Sequence, residues 1–119
     1  MNTLAFIIED DEDLSTIFAD ALESVGYKVE QIKDGLKAQQ RLREEVPHLI
    51  LLDMHLPHIS GGDLLTEIKA DAKLDNTTVI LTTADARMAE AYEPIADFVM
   101  VKPISFVQLR DLTARLKPK

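Results

Sequence analysis

The chain has 119 residues, 46% of them hydrophobic and 29% charged, the composition of one compact globular domain and not of a disordered chain. Its apolar runs are too short for a membrane-spanning helix, and with no cysteine it has no disulfide or thiolate metal site. A formal net charge of −8 repels nucleic acid and anionic lipid, so neither is expected as a direct partner of this chain.

The N-terminal Met1-Asn2-Thr3 carries no basic patch followed by a long apolar stretch, so no secretory signal is expected, and a cytoplasmic location is. The first strand is Leu4 to Ile8. Glu9 to Asp13 follows as an unbroken acidic run, which in isolation reads as a solvated loop or the first turn of a helix. Leu14, Ile17, Phe18, Ala21, Leu22 and Val25 then recur at three- and four-residue spacing and predict a helix. Asp11 or Asp13 caps its start and Gly26 ends it. Tyr27 to Ile32 alternates weakly, as an edge strand does. Asp34-Gly35 reads as a turn, and a polar helix follows with Leu36, Leu42 and Val46 as its apolar positions and Pro47 beyond its end.

Leu49 to Leu52 is apolar on both faces, the pattern of a strand in the middle of a parallel sheet covered by helices. It stops at Asp53. A loop containing Pro57, Gly61 and Gly62 leads to a third helix marked by Leu64, Leu65, Ile68 and Ala72. Thr78 to Thr82 is the fourth strand. A helix from about Asp85 to Glu93 is stopped by Pro94, with Met88 and Tyr92 as its apolar face. Phe98 to Val101 is the fifth strand, and a last helix carries Leu109, Leu112 and Leu116 behind the cap Ser105. Strands alternating with helices predict an α/β fold with a mainly parallel sheet, right-handed crossovers and a ligand site beyond the C-terminal strand ends. Periodicity alone leaves the strand order open.

In such a sheet the C-terminal strand ends share one edge. Glu9 and Asp10 follow the first strand, Asp53 the third, Thr83 the fourth and Lys102 the fifth. Taken singly, Asp53 reads as a turn or capping residue, Thr83 as a helix cap and Lys102 as a surface lysine. Converging, they read differently. Three packed carboxylates repel one another, and a hard dication with oxygen ligands relieves that repulsion. Lys102 and Thr83 add a positive point charge and a hydroxyl donor suited to a phosphate oxygen. His48, His55 and His58 carry little weight as a zinc site, because no cysteine supports them and loop histidines are commonly solvated.

Four stretches together resemble the receiver domain of two-component response regulators. They are Phe6-Ile7-Ile8-Glu9-Asp10-Asp11, Leu51 to Pro57 with Gly61 eight residues beyond Asp53, Leu81-Thr82-Thr83-Ala84, and Val101-Lys102-Pro103. The resemblance spans nearly the whole chain, so residues 1–119 are expected to form one receiver domain. It implies a flavodoxin-like, doubly wound sheet of order 2-1-3-4-5 with helices on both faces. It makes Asp53 the phospho-acceptor, with a Mg2+ or Mn2+ ion held by Asp10 and Asp53 directly, by Glu9 through water, and by the backbone carbonyl of His55. Thr83 and Lys102 would contact the phosphoryl oxygens. The implied partners are a sensor histidine kinase or histidine phosphotransfer protein as donor, and a downstream protein or a missing output domain as target. The implied activity is a switch with self-catalysed phosphotransfer and autodephosphorylation, not an enzyme acting on other substrates.

Two departures stand out against that family. Its usual aromatic three residues before the lysine is Val99 here, with Phe98 one residue earlier and, by alternation, on the opposite face. The stretch between Thr83 and Lys102 is short and contains Pro94. Other readings fit less well. An unphosphorylated interaction module would not need the full residue set. A phosphatase of the haloacid dehalogenase type places a second acid where this chain has His55. A flavodoxin-like electron carrier has a hydroxyl-rich phosphate loop after its first strand, absent here.

Overall fold

The computed structural model describes residues 3–118, so the Met1-Asn2 part of the N-terminal reading lies outside the described residues. Five strands alternate with five helices: β1 Thr3–Ile8, α1 Glu12–Ser24, β2 Tyr27–Ile32, α2 Gly35–Glu44, β3 Leu49–Asp53, α3 Gly61–Ala70, β4 Thr78–Thr83, α4 Ala86–Tyr92, β5 Phe98–Val101 and α5 Phe106–Leu116. The strands form one parallel sheet of order β2-β1-β3-β4-β5. β3 is central and every one of its residues is buried. Among the described residues no helix is long and apolar enough to cross a membrane.

Alternation along the strands divides the core into two layers. Phe6, Ile8, Ile50, Leu52, Val79 and Leu81 face α2, α3 and α4, where they meet Leu42, Leu64, Leu65 and Ile68. Ala5, Ile7, Leu49, Leu51 and Ile80 face α1 and α5, where they meet Phe18, Leu22 and Leu109. Burying apolar surface on both sheet faces is the main force that closes such a fold.

The helix ends follow their local chemistry. Asp11 caps α1 by accepting from the Leu14 amide at 3.0 Å, and Gly26, at φ +98°, takes the left-handed turn after it. Ser105 and Gln108 form a capping box at α5.

Several expected positions are corrected. Asp34-Gly35 is not a separate turn: Asp34 is the cap of α2 and Gly35 its first residue. The buried positions of α2 are Gly35, Ala38 and Leu42, whereas Leu36 and Val46 are exposed, because the helix ends at Glu44 and turns its small Ala38 inward. Gly61 and Gly62 open α3 behind the cap Ser60 and do not belong to the preceding loop. Ala72 falls in a separate 3-10 turn, Ala72–Leu74, because Asp71 re-caps the chain there. Ile17 is exposed on α1, and Ser15 and Ala19 are buried in addition to the apolar stripe. Thr83 ends β4 and does not follow it.

Candidate functional site

The register of the sheet brings the strand-end residues together. Ile8 pairs with Leu52, so Glu9 and Asp53 follow side by side. Asp53 pairs with Thr82, and Thr83 with Val101, one residue before Lys102. One carboxylate oxygen from each of Glu9, Asp10 and Asp53 lies within 4.8 Å of the other two. Glu9 and Asp53 are buried, with 2% and 4% of their surface exposed, while Asp10 is open to solvent.

Lys102 enters this cluster from β5. Its Nζ donates to Glu9 Oε1 at 2.7 Å and to Asp53 Oδ1 at 3.3 Å. The Asp11 amide donates to the other Glu9 oxygen at 3.2 Å. Burial pushes the Glu9 carboxyl up to about 7; the hydrogen bond from Lys102 opposes this, and the neighbouring Asp53 charge adds to it. Burial works against the Lys102 ammonium, but the bond to Glu9 and the charges of Asp53 and Glu9 outweigh it and hold its pKa above the ordinary lysine value.

Thr83 is fully buried. Its carbonyl accepts from the Lys102 amide at 2.7 Å, and its Oγ1 accepts from the Asp85 amide at 3.1 Å. The Lys102-Pro103 peptide is cis. Beyond Asp53, the Met54 amide donates to the Thr82 carbonyl, and the Gly61 amide donates to the Met54 carbonyl, each at 2.9 Å. A Cβ on Gly61 would overlap the Asp53 carbonyl oxygen and stand 2.7 Å from Met54 Cα. Glycine is thus required for α3 to begin against the backbone that presents Asp53.

The expected site residues Glu9, Asp10, Asp53 and Lys102 meet in one cluster, and Thr83 is tied to Lys102 through the backbone. His55 lies exposed in the loop two residues after Asp53. His48 and His58 are exposed as well, and the group of metal-ligating side chains assembled among the described residues is Glu9, Asp10 and Asp53. Three hard oxygen donors, two buried and one facing solvent, match the needs of a small divalent cation better than those of a soft or nitrogen-seeking metal. Sequence patterning missed two details. Lys102 leans on Glu9 more closely than on Asp53, and Asp85, not Thr83, caps α4 by accepting from the Arg87 and Met88 amides. The aspartate just ahead of the helix was the available signal for that cap.

The response regulator receiver domain family model matches residues 5–114. The polar-differentiation response regulator DivK of Brucella ovis is 37% identical over 86 residues, covering 72% of this chain and 70% of that protein. The phosphate regulon transcriptional regulatory protein PhoB of Rhizobium meliloti is 32% identical over 120 residues, covering 95% of this chain. The chain spans about half (53%) of that regulator's length. Among solved structures, the receiver domain of sensor histidine kinase PA1611 from Pseudomonas aeruginosa, with a magnesium ion coordinated in its active site cleft, superimposes with a TM-score of 0.85. It is 24% identical, and 98% of each chain is covered.

Proposed function

Because the chain belongs to the response regulator receiver domain family, we propose that it takes a phosphoryl group from a phosphohistidine donor onto Asp53 and changes conformation in response. The observation that carries this reading is the setting of Asp53: a buried carboxylate at the end of the central strand, 3.3 Å from the Lys102 ammonium and beside Glu9 and Asp10.

An Asp53 carboxylate oxygen attacks phosphorus. The new O–P bond forms as the donor's N–P bond breaks, and the imidazole nitrogen leaves with the electron pair. Transfer of this kind depends on positioning and charge neutralisation more than on covalent assistance. Lys102 supplies a fixed positive charge for the phosphoryl oxygens, and Thr83 a hydroxyl donor. Asp10 and Asp53, with the backbone carbonyl of His55, would hold a magnesium or manganese ion directly, and Glu9 would hold it through water. When bound, such an ion neutralises the carboxylates and the incoming phosphoryl charge. The magnesium-bound PA1611 receiver supports the choice of metal. Return to the resting state is hydrolysis: water attacks phosphorus, inorganic phosphate leaves and the Asp53 carboxylate is regenerated.

The donor is a sensor histidine kinase or a histidine phosphotransfer protein, and the recipient of the signal is a downstream protein or an output domain. The family and the relatives support both roles. Residues 1–119 make up one such receiver, working in the cytoplasm. Incubation with acetyl phosphate and magnesium should add one phosphoryl mass to the intact chain and none to Asp53→Ala. Equal labelling of both proteins would refute the assignment.

A further inference from the structure

The layer that covers one face of the sheet is not filled completely. Between α2, α3 and the 3-10 turn Ala72–Leu74 lies a cavity of about 160 Å³. Its floor is Leu42, Leu64, Ile68 and Leu74, all buried. An apolar cavity of about 150 Å³ is large enough to take one benzene ring. Apolar atoms that border an unfilled volume forfeit dispersion contacts, and a flat ring would restore them.

The mouth of the cavity is polar. Gln39 and Arg43 stand on its α2 side, and Glu67 and the α3 cap Asp71 on the other. Two side-chain bridges cross between the walls. The Gln39 amide donates to Glu67 Oε1 at 2.6 Å, and Lys73 Nζ donates to the Leu42 and Arg43 carbonyls at 3.0 and 3.3 Å. Bridged twice and with room for a single ring, the site suits a small molecule better than an extended peptide.

Charge at the mouth sets the sign of the ligand. Asp71 Oδ1 accepts from the Lys73 amide at 3.0 Å, and Glu67 Oε1 accepts from Gln39. One oxygen of each carboxylate is left without a hydrogen bond among the described residues. Arg43 makes no ion pair among the described residues, and its flat guanidinium can lie on the face of a ring. Two carboxylates against one guanidinium, on a chain of net charge −8, favour a cation over an anion.

Both walls begin at the loop that follows Asp53. The Gly35 amide, first in α2, donates to the Pro57 carbonyl at 3.2 Å. The Gly61 amide, first in α3, donates to the Met54 carbonyl at 2.9 Å. A Cβ on Gly35 would stand 2.5 Å from the Ile59 carbonyl oxygen, so α2 starts directly against that loop. A molecule that ties α2 to α3 therefore also restrains residues 54–60.

We propose that the cavity between α2 and α3 binds a small cation carrying one aromatic ring, an arylalkylammonium ion. The ring rests on Leu42, Leu64, Ile68 and Leu74 with its face toward Arg43, the ammonium lies at Glu67 and Asp71, and occupancy steadies the loop of residues 54–60. This site is separate from the strand-end cluster and does not depend on Asp53 being the phospho-acceptor.

The test titrates 2-phenylethylammonium into the whole chain, followed by methyl and amide NMR, with phenylacetate as the same ring bearing the opposite charge. The amine should give saturable shifts at the methyls of Leu42, Leu64, Ile68 and Leu74. Phenylacetate should bind at least about threefold more weakly. The double variant Glu67→Gln, Asp71→Asn keeps both acceptor oxygens and removes both charges, so it should fold as before and bind the amine about threefold more weakly. Opening of the loop that separates the walls empties the site. Exchange of the Gly35 and Gly61 amides should then slow by up to one plus the ratio of free amine to Kd, about elevenfold at about ten times Kd. The Gly26 amide, bonded to the Glu23 carbonyl at the end of α1, should exchange as before. Absence of saturable shifts at these methyls, phenylacetate binding as tightly as the amine, or unchanged affinity in the double variant would overturn the site. Saturable binding with unchanged exchange at Gly35 and Gly61 would overturn its link to the loop.

Discussion

The ammonium of Lys102 is bonded to Glu9 at 2.7 Å, nearer than it comes to Asp53. The resting lysine therefore compensates a buried glutamate, and under the proposed function phosphorylation of Asp53 would draw it from that partner toward the new oxygens. Lys102→Ala would leave Glu9 buried beside Asp53 with no cation. The variant should lose about 1–3 kcal/mol of stability in urea unfolding without metal. Millimolar magnesium should restore part of that loss, since a ligand bound only by the folded state stabilises it. Unchanged stability in the variant would show that the ion pair contributes nothing.

Asp10 is the exposed member of the three-carboxylate group. Losing a partner one bond removed from a metal typically costs about 10–100-fold in affinity, and losing a direct oxygen ligand costs at least as much. Asp10→Ala should therefore bind magnesium at least about tenfold more weakly by titration calorimetry. Affinity equal to the wild type would reduce the acidic run to a solvated loop.

Gly61 cannot accept a side chain without pushing on the backbone of Asp53 and Met54. Overpacking against rigid neighbours costs about 1–3 kcal/mol. Gly61→Ala should be destabilised by that amount in chemical unfolding and should take phosphoryl from acetyl phosphate more slowly. A variant as stable and as reactive as the wild type would mean that the start of α3 does not hold Asp53 in place.

The sheet and its edge were legible in the sequence because their signals are local. Leu49 to Leu52 is apolar at every position, and Glu9, Asp53, Thr83 and Lys102 each stand at or beside the end of an apolar run. Helix α2 was less legible. Its core contacts come from the small Ala38 and from Leu42, while the conspicuous Leu36 and Val46 point to solvent. Gly61 and Gly62 read as loop because glycine is a poor helix former, but a Ser60 cap and close approach to Asp53 place them in a helix. The partner preference of Lys102 and the Thr83-to-Asp85 link depend on distances of a few ångströms between separate elements or within a loop. No periodicity encodes them.

Tyr27 gives a pH test remote from the site. Its hydroxyl donates to the Thr113 carbonyl at 2.8 Å, and burial pushes its pKa up to about 12 from the usual 10. A group whose folded pKa is raised contributes stability that is complete below its unfolded pKa. That stability is lost as pH rises from 10 through 12. Tyr27→Phe should cost about 1 kcal/mol at neutral pH through the lost hydrogen bond, and should flatten the decline between pH 10 and 12. An equally steep decline in the variant would assign it to other groups.

The most direct test of the account is to locate the phosphoryl group chemically. The wild-type chain is treated with acetyl phosphate and magnesium and reduced with borohydride, which converts an aspartyl phosphate to the alcohol. Peptide mass spectrometry then identifies the altered position. The account predicts the aspartate-to-homoserine mass change at position 53 alone, and none in protein incubated without the phosphoryl donor. Reduction at position 10 or 11 with position 53 unmodified would contradict it.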